Sequence, residues 1–144
     1  SVPTVDKSYY SDCMVAALRE SKTAAKDVDV INAHGVGTSI TDLHEARSIA
    51  RVFGQGQGGC PVNAFKPFFG HNLGSSALLE SALLLLSMEK NCVLPTLNCE
   101  PIDPQVKINL VVKAAKKELS TAMKLSCAFA GYNGAVVFKK YSNT

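Results

Sequence analysis

Imidazole is the side chain whose proton comes and goes nearest neutral pH, and two of the three histidines in this chain stand in matching settings. His34 lies in AHGVGT and His71 in FKPFFGHNLGSS, each at the end of a strand-like apolar run and beside glycine, with Lys66 five residues before the second. Glycine neighbours let a ligand approach the backbone closely, so the two settings imply one shared pocket in which imidazoles act on a proton or an oxygen. The stretch from Gly70 to Ser76 reads as the opening of a long helix, whose free N–H groups favour an anion or a developing oxyanion. A histidine there has its protonated form disfavoured by the helix dipole and stays a neutral donor.

Carboxylates surround these positions. Glu80 falls inside the apolar run from Ala77 to Met88, where an unpaired charge is costly, so it requires a partner among Asp42, Glu45, Lys66 and Asn133. Asp42 and Glu45 are the acids near His34, although capping alone is an equal account of Asp42, and His44 reads as a solvated helix residue. Gly54, Gly56 and Gly59 match GxGxxG literally, but they follow a helix and precede a strand, the reverse of a dinucleotide-binding turn, so a surface loop is the better reading. Cys13, Cys60, Cys92 and Cys99 read as small apolar residues or strand ends, whereas Cys127, beside Phe129 in a turn, is the thiol to watch.

These groups need elements to hold them. Tyr10, Met14, Ala17 and Leu18 share one face of a first helix. Asp27 to Ala33 has strand character and runs into His34. Thr41 and Asp42 are candidate caps for the helix LHEARSIARVF. A short strand from Pro61 to Phe65 leads to Lys66, and a helix from Leu73 to Lys90 follows His71. The order α, β, α, β, α argues for parallel strands covered by helices. Four strand-like pieces follow: Val93 to Leu97, Ile108 to Val112, Lys124 to Ala128 and Gly134 to Phe138. The last two flank AFAGYNG as an antiparallel hairpin.

The length of 144 residues with 47% hydrophobic composition suits one domain with a sizeable core. A net charge of +3, from 15 basic and 12 acidic residues without a basic block, argues against a nucleic-acid binder. Five scattered cysteines with no CxxC pair point to neither a disulfide framework nor a zinc knuckle, and suit a reducing compartment. The N-terminus shows no signal peptide, and the most apolar stretch is too short to span a bilayer.

AHGVGTSITDLHEARSIARVFG, PVNAFKPFFGHNLGSSALLE, LPTLN and SCAFAGYNGAVVF, in this order and at these spacings, resemble the C-terminal half of the β-ketoacyl synthases, the condensing enzymes of fatty-acid and polyketide synthesis. The resemblance runs from about Tyr9 to Phe138. It implies an α/β, thiolase-like fold: one half of an αβαβα layered arrangement, with a mixed sheet of parallel strands and a C-terminal antiparallel hairpin, residues 1–144 forming a single C-terminal domain. It implies an acyltransferase working by decarboxylating Claisen condensation, in which His34 and His71 assist loss of carbon dioxide and stabilise the thioester oxyanion. Lys66 then supports the histidines electrostatically, and Asp42, Glu45, Glu80 and Asn133 organise the site. Phe129 matches an aromatic gate and Thr38 a hydroxyl that meets the pantetheine arm.

The same resemblance implies no metal and no organic cofactor of the protein's own, since substrates arrive on phosphopantetheine of acyl carrier protein or as coenzyme A thioesters. The other implied partners are a nucleophile-bearing N-terminal half, absent from this chain, and a second subunit in a homo- or heterodimer, with neither nucleic acid nor membrane. The implied location is cytoplasmic, and the chain by itself is expected to be inactive. Departures stand at Val36, where the family's GTGT becomes Gly35, Val36, Gly37, Thr38, at Phe65 and Pro67 around the lysine, and at Cys127, a position commonly Phe. Within the superfamily the alternative is a non-condensing partner subunit of the chain-length-factor kind. From the residues alone, an anion-binding module at Gly70 to Ser76 and a hydrolase using Cys127 also remain open.

Overall fold

The computed structural model describes residues 9–141. Helix α1 (Tyr9–Glu20) precedes strand β1 (Val30–Asn32), helix α2 (Ser39–Phe53), strand β2 (Pro61–Asn63), the single turn α3 (Lys66–Phe69) and helix α4 (Ser76–Lys90). Strands β3 (Cys92–Val93), β4 (Asn109–Leu110), β5 (Ala115–Lys116), β6 (Thr121–Cys127) and β7 (Asn133–Lys139) complete the chain. The main sheet has the order β4-β2-β1-β6-β7, parallel except for the antiparallel β6–β7 hairpin. Strands β3 and β5 make a separate antiparallel pair.

Side chains alternate between the faces of a strand, and here the two faces bury different partners. Ile31, Met123 and Leu125 point to α1 and α2, where Tyr10, Met14, Leu18, Ile49 and Phe53 complete one core. Val30 and Ala122 point the other way, packing with Phe65, Leu84, Met88 and Val93 around α4. The pairing Asn32↔Lys124 continues that second face toward the sheet's C-terminal edge, so a lysine in strand β6 is aimed at α4. The inward face of α4 is Ser76, Glu80, Leu84, Ser87 and Met88, whereas Leu78, Leu79, Leu85 and Leu86 stand exposed on its outer side.

Two boundaries differ from the sequence expectation in ways that matter for the site. Helix α2 begins at Ser39 behind Thr38, which makes no side-chain cap, so Thr41 and Asp42 lie inside the first turn and are not caps. Helix α4 begins at Ser76, after a 3₁₀ turn at Leu73–Ser75, which leaves His71 five residues before the helix and outside the reach of its first-turn dipole. No helix of the described residues is long and apolar enough to cross a membrane.

Candidate active site

Strands β1, β2 and β6 run parallel, so the segments leaving their C-terminal ends gather on one edge, the usual place for chemistry in such sheets. His34 leaves β1 through a tight bend fixed by Glu45. The Glu45 carboxylate accepts from His34 N (2.7 Å), Gly35 N (2.9 Å) and the Tyr10 hydroxyl (2.9 Å). Glu45 is buried; burial pushes its carboxyl pKa up, while the Gly35 and His34 N–H groups pull it back. Gly35 is required here, because its φ is +50° and an added Cβ would stand 2.5 Å from Ala64 Cβ. Asp42 repeats the device one bend later, accepting from Gly37 N at 3.2 and 3.1 Å.

Beneath the imidazole lies a buried ion cluster. Lys66 Nζ donates to His34 O at 2.5 Å and to Glu80 Oε1 at 2.7 Å, and it stands 3.4 Å from His34 Nδ1. An ammonium can only donate, so Nδ1 is the acceptor and the His34 proton resides on Nε2. Glu80 is fully buried at 0% exposure, and its Oε2 forms an ion pair with Lys124, itself 3% exposed, without hydrogen-bond alignment. Burial, followed by the charges of Lys66, Lys124 and His71, lowers the His34 pKa to about 3. His34 is therefore a neutral Nε2–H donor throughout the physiological range.

His71 is set by a serine. Asn72 N donates to Ser76 Oγ at 2.7 Å, and that oxygen stands 3.0 Å from His71 Nδ1. One lone pair of that hydroxyl is taken by the Asn72 N–H, and in the tautomer in which its hydrogen points at Nδ1 the imidazole proton stands on Nε2, facing away from the serine. The two imidazole rings meet edge to face, with centroids 5.6 Å apart and planes at 87°. Two N–H donors side by side on an otherwise cationic floor can hold an oxygen on which negative charge develops.

The structure thus brings together His34, Lys66, His71, Glu80 and, through the backbone, Glu45. Other expected members stand apart. Asn133 begins β7 and donates only to Gly131 O (3.3 Å) within the hairpin, so it is not a partner of Glu80; the acids Asp42 and Glu45 are occupied by backbone N–H groups instead. Thr38 and Phe129 are exposed, Phe129 at 91%, and lie on the loops that follow β1 and β6 at the same edge. His44 is half-buried where a solvated residue was expected. The shared pocket expected from the sequence is here an open surface: His71, Leu73 and Phe129 face outward. Concavities of about 460 and 580 Å³ lie elsewhere, one by Asp29 and Cys60 at the opposite sheet edge, the other between α1 and β7.

Sequence reasoning missed Lys124. The signal was present in TAMKLSC, where strand alternation puts Lys124 on the same face as Ala122, and a lysine inside a doubly covered strand demands a carboxylate. Cys127 is half-buried near Glu45 and Asp42, and burial pushes its pKa up to about 11, which leaves it a protonated thiol and a poor nucleophile.

Residues 1–100 match the profile of the β-ketoacyl synthase C-terminal domain. The chain is 33% identical over 132 residues to 3-oxoacyl-[acyl-carrier-protein] synthase 2 of Staphylococcus aureus, covering 91% of this chain and 32% of that protein. It is 32% identical over 135 residues to the tetracenomycin polyketide synthase ketoacyl synthase alpha subunit of Streptomyces glaucescens, covering 93% of this chain and 32% of that one. A solved type II polyketide ketosynthase, in complex with its acyl-carrier protein and bound to the hexaketide, superposes with a TM-score of 0.85 at 31% identity over 91% of this chain and 32% of its own. The chain spans about a third of the length of the curated relatives it matches, and its fold is the thiolase-like α/β fold of these ketosynthases.

Proposed function

This chain belongs to the β-ketoacyl synthase family, as its C-terminal domain, and on that premise we propose that it supplies the decarboxylating wall of a condensing acyltransferase. The observation that carries the reading is the edge-to-face imidazole pair above Lys66. In the proposed reaction a malonyl thioester loses carbon dioxide, and the electron pair of the broken C–C bond passes into an enolate whose oxygen accepts from His34 and His71 Nε2–H. The enolate carbon then attacks an acyl group held on a cysteine of the N-terminal half, and the thiolate leaves. N–H donors suit this step because no proton has to be surrendered to stabilise the oxyanion. Each is worth about 2.7 to 4 kcal/mol, by the standard of one lost oxyanion donor.

Lys66 acts as an electrostatic support that fixes the His34 tautomer. Thr38 and Phe129, on the exposed side of the same edge, are the positions from which a pantetheine arm and an acyl group would be met. The substrates would arrive on phosphopantetheine of a carrier protein, and the partners would be that carrier, the nucleophile-bearing half and a second subunit. A non-condensing partner role is the weaker reading, because both imidazoles and the lysine are present, with Lys66 against His34 and the His34 ring edge to face with that of His71.

The test is to assay the chain alone and co-expressed with the upstream half, following carbon dioxide release from malonyl carrier protein and formation of the β-ketoacyl product. The chain alone should be inactive, and His71→Ala in the reassembled pair should lose about 10²- to 10³-fold in rate. Product from the isolated chain, or an unaffected His71→Ala pair, would refute the assignment.

A further inference from the structure

The second buried lysine has no part in the roles assigned above, yet its surroundings are those of a bound cation. Lys124 Nζ donates to Ala33 O (3.2 Å) and Leu125 O (2.6 Å) and ion-pairs with Glu80 Oε2, all out of solvent. The pattern is paired with that of Lys66. One ammonium holds the carbonyl of Ala33 and the other that of His34, while each takes one oxygen of the same carboxylate. The two carbonyls are consecutive and lie where β1 turns toward the imidazole. We propose that Lys124 is a positioning residue, a tethered monovalent cation that fixes the exit of β1 and thereby the orientation of His34.

The physical argument rests on what a neutral side chain at residue 124 would leave. Two carbonyl oxygens and a carboxylate oxygen would converge on a buried space with no positive charge, and such groups are costly without a partner. Released from Ala33 O, the strand end could shift relative to Lys66. Lys124 also adds to the positive field around His34, and is one of the charges that keep its pKa low. The groups facing His34 are Lys66, Lys124 and His71 around the ring, Glu45 at its N–H, and Glu80 between the two lysines. The catalytic consequence rests on the condensing-enzyme reading. The clamp does not, and it is measured without turnover, so a failure of the condensation assay leaves it standing.

The experiment compares the 144-residue chain with Lys124→Ala and Lys124→Met. Thermal melting is recorded in potassium, ammonium or tetramethylammonium chloride at equal ionic strength, and the His34 ring resonances are followed through a pH titration. The alanine variant should melt lower than the parent in tetramethylammonium and recover in potassium or ammonium, which fit the vacated space. The methionine variant fills that space with an uncharged chain and should not recover. In both variants the His34 midpoint should rise toward the ordinary imidazole range, and potassium should bring it back down in the alanine variant alone. Rescue that does not distinguish the cations, an alanine variant that folds in no salt, or an unmoved His34 midpoint in Lys124→Met overturns the proposal.

Discussion

Glu80→Gln tests whether the ion cluster beneath His34 holds together for the reason given. The carboxylate is fully buried and bridges Lys66 and Lys124. Replacing it with an amide keeps the volume but leaves two buried ammonium groups without their shared counter-ion; Glu45 near Lys124 and Asp42 near Lys66 are anions that remain. Breaking a buried pair by removing one partner costs about 3–5 kcal/mol, and for a chain of this length each kcal/mol lowers the melting temperature by about 2–4 °C, so a loss of roughly 10 °C is expected. The pH dependence has a definite sign. Burial already lowers the Lys124 pKa, against the upward pull of Glu80, and the variant removes that pull. Between the depressed folded-state pKa and the unfolded value of about 10.4, the unfolded chain binds more protons than the folded one, so stability rises with pH. The deficit of Glu80→Gln should therefore shrink between neutral pH and about pH 10. Urea titrations of both proteins across that range measure it, and a deficit below about 1 kcal/mol, or one that is flat with pH, would refute the cluster as a mutually dependent unit.

Gly35→Ala should destabilise by more than the 1–2 kcal/mol of a left-handed alanine, since its Cβ would meet Ala64 Cβ at 2.5 Å; an unchanged urea midpoint would show that the bend at His34 is not constrained as described. Cys127, with its pKa raised to about 11, should be alkylated by iodoacetamide at pH 7 far more slowly than a free thiol of pKa about 8.5, and rapid labelling mapped to Cys127 by mass spectrometry would revive a nucleophilic role for it.

The elements that carry the site were legible where a single local signal decided them. Val30–Asn32 and Pro61–Asn63 are short β-branched runs ended by the residues that do the chemistry, and the antiparallel hairpin followed from strand content on both sides of AFAGYNG. What the sequence did not disclose was pairing across distance. Glu80 was seen to need a partner, but Lys124 lies 44 positions away, and only the face assignment of β6 brings them together. Asn133 looked equally suited to the cluster by type, yet it sits at the hairpin and bonds locally. The caps failed for a related reason. Thr41 and Asp42 have cap chemistry, but Asp42 is used from within the helix to hold Gly37 N, so the helix starts earlier than its most obvious capping residue.

The setting of the two imidazoles shows the same shift from local to assembled causes. A helix dipole at His71 is the account that the sequence suggests, and the structure moves His71 out of the helix and gives its orientation to Ser76. His34, which lies at no helix start, is the imidazole that the structure makes hard to protonate, through burial and the lysines behind it. A positively charged floor would by itself repel nothing that a malonyl thioester brings, since carboxylate and enolate are both anionic. It acts on His34 instead, by keeping a proton off its Nδ1 and leaving the Nε2–H as a donor. The carboxylates of Glu45 and Glu80 keep that floor from being a net charge the fold could not bury. In this arrangement the acids matter to the chemistry without touching the reacting atoms: Glu45 holds the His34 backbone, and Glu80 holds both lysines where they orient its ring.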